Sequence, residues 1–387
     1  MNRLRNGYLI ENIVDYWSKN DIFTKLREKN RSGETFSFYD GPITANNPMG
    51  VHHAWGRTLK DVFQRYQAMK GKHQRYQNGF DCQGLWLEVE VEKALGLNSK
   101  KEIIDYGLEK FAQACKKRVN HFAAVITQQS IRLGQWMDWS NSYYTYDDNN
   151  IEHIWYFLKK CHENGWLYLG TRVLPWCYRC GTSLSSHEQS DSYEELTHEA
   201  VYIKLPFKNE TQTYFMVWTT TPWTLTANVA LAVNPELDYL IIQKDQEKFV
   251  LAKGTQDVLD RPWDILDFIK GKELLEKRYI GPFDDLTAQK EVKSKKVIPW
   301  DEVSNLEGTG VVHIAPGCGE EDYELSKKYN LDVIAPIDGE AKYIEGFDYL
   351  TGFTITEAFD LILEKLKSKG FLYKTNQIFT NSVKTIF

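Results

Sequence analysis

The sequence predicts an α/β chain: the first half of a doubly wound, parallel-sheet domain, with a β-rich, barrel-like domain inserted into it. Three observations predict this. Residues 38–61, FYDGPITANNPMGVHHAWGRTLKD, read as an apolar strand, a polar loop and the start of a helix. A second candidate strand ends at Asp81 and is followed by helical periodicity, the βαβ logic of an open α/β sheet. From about His198 the pattern turns into short strands separated by turn residues.

Composition sets the frame. The 387 residues suit two or three domains, and 42% hydrophobic with 26% charged residues describes a chain with ample core. No run of 18 apolar residues is present and the N-terminus lacks a signal-peptide apolar core, so no membrane association is expected. Six scattered cysteines fit a reducing cytoplasm rather than a disulfide framework. A net charge of −6 leaves any nucleic-acid contact to a local patch.

The elements follow in order. Residues 10–30 carry Ile13, Val14, Trp17, Ile22 and Phe23 near helical spacing and read as one amphipathic helix. The strand at Phe38 breaks at Gly41-Pro42, and a helix entered near Val51 continues through Leu59, Phe63 and Tyr66 toward Gly71. Strand, tight loop and helix start together present unpaired backbone N–H groups to an anion. His52 and His53 fall in the first helical turn, where imidazoles donate to phosphate oxygens; an ordinary strand-to-helix turn capped by histidine reads the same way. Asp81 closes the second strand, at the carboxyl end where open α/β sheets bind ligands. Helices are expected over residues 85–95, 108–136 and 151–164, the last ended by Gly165.

At Leu174 the texture changes. PWCYRCG places Cys177 and Cys180 in a Cys-x-x-Cys turn, the shape of a zinc knuckle with two of the four ligands zinc wants. His187 is a nearby donor; two reduced cysteines in a turn, or a redox dithiol without thioredoxin-like context, are the other readings. Strands are expected at residues 200–205, 214–219, 229–233, 239–243, 249–251 and 311–314, and helices at 319–329 and 355–368. The division expected is 1–187, an inserted block 188–374, and a return segment 375–387.

Two clusters inside the block invite chemistry. WTTTPWTL, residues 218–225, has four hydroxyls in six positions, enough to orient a ligand or water while the methyls set a width; β-branched strand filler explains only one or two of them. GTGVVHIAPGCGEEDY, residues 308–323, delivers His313 to a glycine-rich loop with acids at the following helix start, where they also complement the helix dipole.

These stretches, with GFDCQGLWLEVEVEK, resemble the N-terminal part of the class I aminoacyl-tRNA synthetases, and among them the isoleucyl-tRNA synthetases, over residues 8–374. The WTTTPWTL run favours isoleucine, since the valine and leucine relatives have Arg after the threonines. The resemblance implies a Rossmann-like nucleotide-binding domain. In it Gly41, Pro42 and Asp81 line an isoleucine pocket, Asp81 pairing with the ammonium. Asn46, Gly50, His52 and His53 would meet ATP. The family's His-Ile-Gly-His falls on Gly50-Val51-His52-His53, so one imidazole has moved two positions. His52 and His53 would be the catalytic pair, helping the isoleucine carboxylate attack the α-phosphorus of ATP, with Mg²⁺ assisting. The inserted block is implied to be an editing domain. One methylene separates isoleucine from valine by only ~1–3 kcal/mol, a limit usually illustrated with this enzyme family, and editing of valyl-tRNA supplies the rest. Thr219, Thr220, Thr221, Asn228 and His313 would line the editing site, with Asp322 holding the amino group of the mischarged end. Isoleucine, ATP and the isoleucine tRNA are the implied substrates, and Zn²⁺ at Cys177 and Cys180 is a half-site.

The family's Lys-Met-Ser-Lys-Ser signature is absent, and KSKK at residues 293–296 reads as a solvated charge run. The returning half of the nucleotide fold, the anticodon-binding domain and a second Cys pair are absent as well, and the tail NQIFTNSVKTIF departs from the family. A truncated reading frame is the expectation, with a separate polypeptide as a possible carrier of the missing half. Two functions follow: an isoleucine–tRNA ligase fragment unable to activate isoleucine alone, or a stand-alone aminoacyl-tRNA hydrolase or tRNA-binding module. A non-catalytic regulatory relative has little support.

Overall fold

The computed structural model describes residues 12–186, 189, 193–293 and 295–383. Short apolar runs set its first sheet. β1 (Ile43–Thr44), β2 (Gln77–Asp81) and β3 (Asp138–Tyr144) are parallel in that order, with Ile43 opposite Phe80, Thr44 opposite Asp81 and Phe80 opposite Tyr144. Helices α1 (residues 12–19), α2 (Ile22–Lys29), α3 (Val51–Met69), α4 (Leu85–Leu95), α5 (Lys100–Tyr106), α6 (Leu108–Arg132) and α7 (Asp148–Glu163) accompany it. α4 ends at Gly96 in the left-handed region, where the Gly96 and Leu97 N–H groups close on the carbonyls of Lys93 and Glu92, the glycine stop its sequence encodes. The core gathers Ile43, Phe80, Leu87, Val119, Ala123 and Ile126.

Two expectations in this part are corrected. The single helix over residues 10–30 is two helices, broken at Asn20 and Asp21. Asp21 adopts φ 52° and Asn20 Nδ2 donates to the Tyr16 carbonyl at 2.9 Å, as short polar residues that tolerate the left-handed region do. The strand expected at Phe38 lies after the Gly-Pro break instead, as the two residues of β1. The segment before it bridges at Thr35 to His73, and proline has no N–H to extend a ladder through residue 42.

From residue 170 the chain is β-rich. β6 (Tyr193–Pro206), β7 (Thr213–Thr219), β9 (Asp238–Lys244), β10 (Glu247–Ala252), β11 (Asp264–Lys270) and β14 (Leu372–Val383) form one sheet in the order β11-β9-β10-β7-β6-β14. β8 (Ala230–Val233), β12 (Val297–Pro299) and β13 (Val312–Ile314) form another, in the order β12-β8-β13, and β4 (Trp176–Cys177) pairs with β5 (Thr182–Ser183). Helices α8 (Glu320–Tyr329) and α9 (Ala358–Ser368) complete the part. Its main core joins Val201, Ile203, Phe215, Tyr239, Ile362 and Leu366.

The β-rich character expected is present, and the larger sheet stays open: its outer strands β11 and β14 do not pair with each other, so no barrel closes. β11 and β14 went unread in the sequence for one reason. Both are edge strands held by backbone bonds, and β11 exposes almost every residue, so neither needs clean alternation. The tail expected to leave the block at residue 375 continues in β14, antiparallel to β6 as far as Val383 opposite Tyr193. KSKK is not wholly solvated either. The Lys295 side chain is 7% exposed and ion-paired with Asp284, and Ser294 lies outside the described residues.

The chain divides into two compact units between Leu169 and Gly170, ahead of the boundary expected at 187/188. The Cys-x-x-Cys hairpin belongs to the second unit, where Trp176 Nε1 donates to the Gly339 carbonyl at 2.9 Å. No helix among the described residues is long and apolar enough to cross a membrane.

Candidate functional site

The loop after β1 brings the chain to Gly50, the N-cap of α3, in extended backbone. Its N–H donates to His53 Nδ1 at 3.1 Å, so that nitrogen carries no proton and the ring is neutral. Burial first, then His52 and Arg57, hold the His53 pKa below the usual imidazole range, in the same direction. His53 Nε2 lies 3.1 Å from His52 Nε2, and the two rings sit 3.8 Å apart at 44°. The two histidines thus share one hydrogen bond.

Both histidines line a cavity of about 290 Å³ together with Gly41, Pro42 and Thr44. Arg57 and Lys60 complete its wall. Sequence reasoning passed over these two cations, although their spacing of four and seven residues from His53 puts them on the same face of α3. Arg57 is buried, its Nη1 donating to Asn78 Oδ1 at 3.2 Å and Gln135 Oε1 at 3.0 Å; burial lowers its pKa against the opposing pull of Asp40. Lys60 Nζ donates to Asp40 Oδ1 at 2.6 Å.

The other residues expected here stand beside the cavity, outside its lining. Asp81 ends β2 and accepts from Thr44 Oγ1 at 3.3 Å, so it is tied to a lining residue. Asn46 is held toward α4 and α6: its Nδ2 donates to the Trp86 carbonyl at 3.3 Å and its carbonyl accepts from Arg118 Nε at 2.8 Å.

In the second unit, β7 ends at Thr219 and a 3₁₀ turn over Pro222–Ala227 follows. The threonines form a chain of short contacts. The Thr221 N–H donates to Thr219 Oγ1 at 3.1 Å, Thr221 Oγ1 lies 3.5 Å from Thr224 Oγ1, and Thr224 Oγ1 lies 2.9 Å from His313 Nε2. Thr221 is exposed, Thr220 half-buried and Thr224 buried, so the chain runs from solvent to a buried imidazole delivered by β13. Burial pushes the His313 pKa down to about 4, and its Nδ1 has no partner among the described residues. Thr224, the fourth hydroxyl of the WTTTPWTL run, makes the contact to His313.

Asn228 turns the other way. It is fully buried, Nδ2 donating to the Ala230 carbonyl at 2.9 Å and Oδ1 accepting from Tyr279 at 2.6 Å, so its amide is committed to the core rather than to a lining surface. Asp322, in the first turn of α8, accepts from the Ala315 N–H at 2.7 Å and so pins the loop that follows His313. Burial raises its pKa to about 6.

The Cys-x-x-Cys turn does not make a metal centre of its own. Cys177 Sγ accepts from the Cys180 N–H at 3.3 Å, and burial, with Cys177 adding to it, raises the Cys180 thiol to about 11. Among the described residues no three His, Cys, Asp or Glu side chains gather to hold a metal, and His187 lies outside them. Two thiols do not fit a tetrahedral zinc ion.

Comparison with known proteins follows the same lines. The family model described as tRNA synthetases class I (I, L, M and V) matches residues 12–328. The chain is 39% identical over 370 residues to the isoleucine–tRNA ligase of Clostridium acetobutylicum, covering 96% of this chain and 36% of that protein. It is 39% identical over 387 residues to that of Pyrococcus horikoshii, with the same coverage of each. A solved editing domain of the P. falciparum cytosolic leucyl-tRNA synthetase aligns with a TM-score of 0.35 at 11% identity, covering 46% of this chain and 99% of that one. The chain spans about a third of the length of the curated relatives it matches. On the family match over most of its length, this chain belongs to the class I tRNA synthetases of the isoleucine, leucine, methionine and valine group.

Proposed function

We propose that the chain is the N-terminal portion of an isoleucine–tRNA ligase, its first unit carrying the amino-acid- and ATP-facing half of the adenylate site and its second unit an editing site. The observation that carries the reading is the single cavity that joins Gly41 and Pro42 to His52 and His53 beside the end of β2. Isoleucine would lie over Gly41-Pro42 with its ammonium toward Asp81, and ATP with its Mg²⁺ would enter as substrate against the α3 start. The half-site works by position and by charge set in place before the reaction, not by covalent chemistry. Two imidazoles, a buried guanidinium and a lysine in the cavity lining support this reading, and the sequence holds no Lys-Met-Ser-Lys-Ser loop to clamp the phosphates from the far side.

The hydroxyl chain from Thr221 through Thr224 to His313 favours a second activity in the same chain, hydrolysis of valyl-tRNA by the second unit acting alone. Threonine hydroxyls in that row orient a water for attack on the ester. Asp322, placed at the loop beside them, would receive the amino group. In this reading Asn228 acts as support below the site, and the neutral His313 serves as a hydrogen-bond partner, not a cation.

One paired experiment tests both readings. Isoleucine-dependent ATP–pyrophosphate exchange is expected to be undetectable with the chain alone and to appear when the remaining two thirds of a relative is supplied in trans. Exchange by the chain alone would show that the half-site is already whole. Deacylation of valyl-tRNA carrying the isoleucine anticodon is expected from the wild-type chain and to fall by ~100-fold in Asp322→Ala, the scale of losing a charged substrate contact. Equal, slow hydrolysis by the two proteins would end the stand-alone editing reading.

A further inference from the structure

The His53 imidazole in the first unit's cavity offers little positive charge. His53 is neutral, bound at Nδ1 by the Gly50 N–H and at Nε2 by His52, which leaves His52 Nδ1 as the ring nitrogen open to a ligand. A polyphosphate brings several negative charges and is held by fixed cations and N–H donors. Those cations stand further along the same face of α3. Arg57 is 4% exposed, and apart from the two Nη1 bonds its guanidinium N–H groups have no partner among the described residues, although the residue lines the cavity. Asn78 and Gln135 therefore fix the plane of the guanidinium and leave its free edge preorganised. Lys60 also lines the cavity, and Asp40 holds its ammonium through Oδ1 at 2.6 Å. The Asp40 side chain is 1% exposed, and its Oδ2 has no partner among the described residues.

We propose that Arg57 and Lys60 form the phosphate-binding wall of this cavity, and that Asp40 is a counter-charge that orients Lys60 and holds down the cavity's affinity for polyphosphate. The proposal rests on reading the cavity as the nucleotide-facing half-site and adds to it the groups that supply the charge. One ammonium N–H goes to Asp40 and the others remain for phosphate oxygens. The buried carboxylate repels the same phosphate through a poorly screened path. Lys60 and Asp40 therefore act on anion affinity with opposite signs, which a purely structural ion pair would not do.

The test is isothermal titration calorimetry of the full 387-residue chain with sodium tripolyphosphate and with ATP, at low salt, with circular dichroism as the fold control. Wild type is expected to bind both. Lys60→Met should weaken binding about tenfold, the loss of one charge-assisted hydrogen bond, and Lys60→Arg should restore most of it. Asp40→Asn should tighten binding about threefold, because the amide oxygen still accepts from Lys60 while the negative charge is gone. If Lys60→Met and Asp40→Asn both bind as wild type does, the wall is wrong and the half-site reading survives. If Asp40→Asn weakens binding alongside Lys60→Met, the counter-charge is overturned. A wild-type chain that binds neither anion at millimolar concentration removes the half-site reading and this proposal together.

Discussion

His313 and Asp322 flank one loop, and burial moves their protonation in opposite senses. His313 falls to about 4 and Asp322 rises to about 6. The unfolded chain protonates His313 below ~6.5 while the folded one keeps it neutral, so its stability contribution shrinks as pH drops from ~6.5 toward 4. For Asp322 the folded state holds a proton that the unfolded state has already released, so its contribution grows as pH drops from ~6 toward 4. Over that window the two slopes cancel. Wild type is expected to show little pH dependence of unfolding from this pair. Asp322→Asn should unmask a loss of about 1.4 kcal/mol per pH unit below 6, and should be more stable than wild type at pH 7.5 by on the order of 2 kcal/mol. Urea unfolding followed across pH 4–8 reads both outcomes. A variant with the same flat profile as wild type would show that the two groups are not buried as described. The same residue carries the proposed editing contact, so the gain in stability should come with lost deacylation, as is common where a charge is kept buried for use.

At the scale of elements, the loop from β13 to α8 depends on a close backbone approach. A Cβ on Gly317 would lie 1.9 Å from the Ile334 carbonyl oxygen, which is backbone and cannot swing aside. Gly317→Ala is expected to cost about 2–3 kcal/mol in urea unfolding of the second unit and to displace Asp322 from the Ala315 N–H. Gly56, inside α3, has nothing within 4 Å of an added Cβ. Gly56→Ala should therefore stabilise the first unit by about 0.5–1 kcal/mol, the ordinary helix gain, and serves as the contrast. Helix α3 also leaves Val51, Trp55, Leu59, Val62, Phe63 and Tyr66 exposed in a helical stripe, more apolar surface than one helix face usually shows to water.

At the scale of the whole chain, the division between the two units falls in a stretch of sequence with no regular structure. Trp166, Leu167, Tyr168 and Leu169 are 71%, 49%, 82% and 102% exposed. Chymotrypsin at low ratio is expected to cut there first and to yield two fragments, since exposed aromatic and leucine residues in irregular backbone are its preferred sites. Cleavage appearing first near residue 187 would favour the boundary read from sequence. The sequence by itself determined a great deal. The helix starting at Val51, the strand ending at Asp81, the glycine stops and six short strands follow from local spacing and residue type, and the family from the resemblance of the quoted motifs. It also placed the hydroxyl-rich run and the histidine loop on the elements where they are found. Only the tertiary structure decided which of those residues meet. It joined Thr224 to His313 across 89 residues, turned Asn228 into the core, paired Lys295 with Asp284, and set Arg57 and Lys60 in the cavity wall. Local sequence governs backbone geometry within a few residues. Whether a side chain faces a cavity, a partner or the core depends on burial by elements far away in the chain, and that free energy has no local signature.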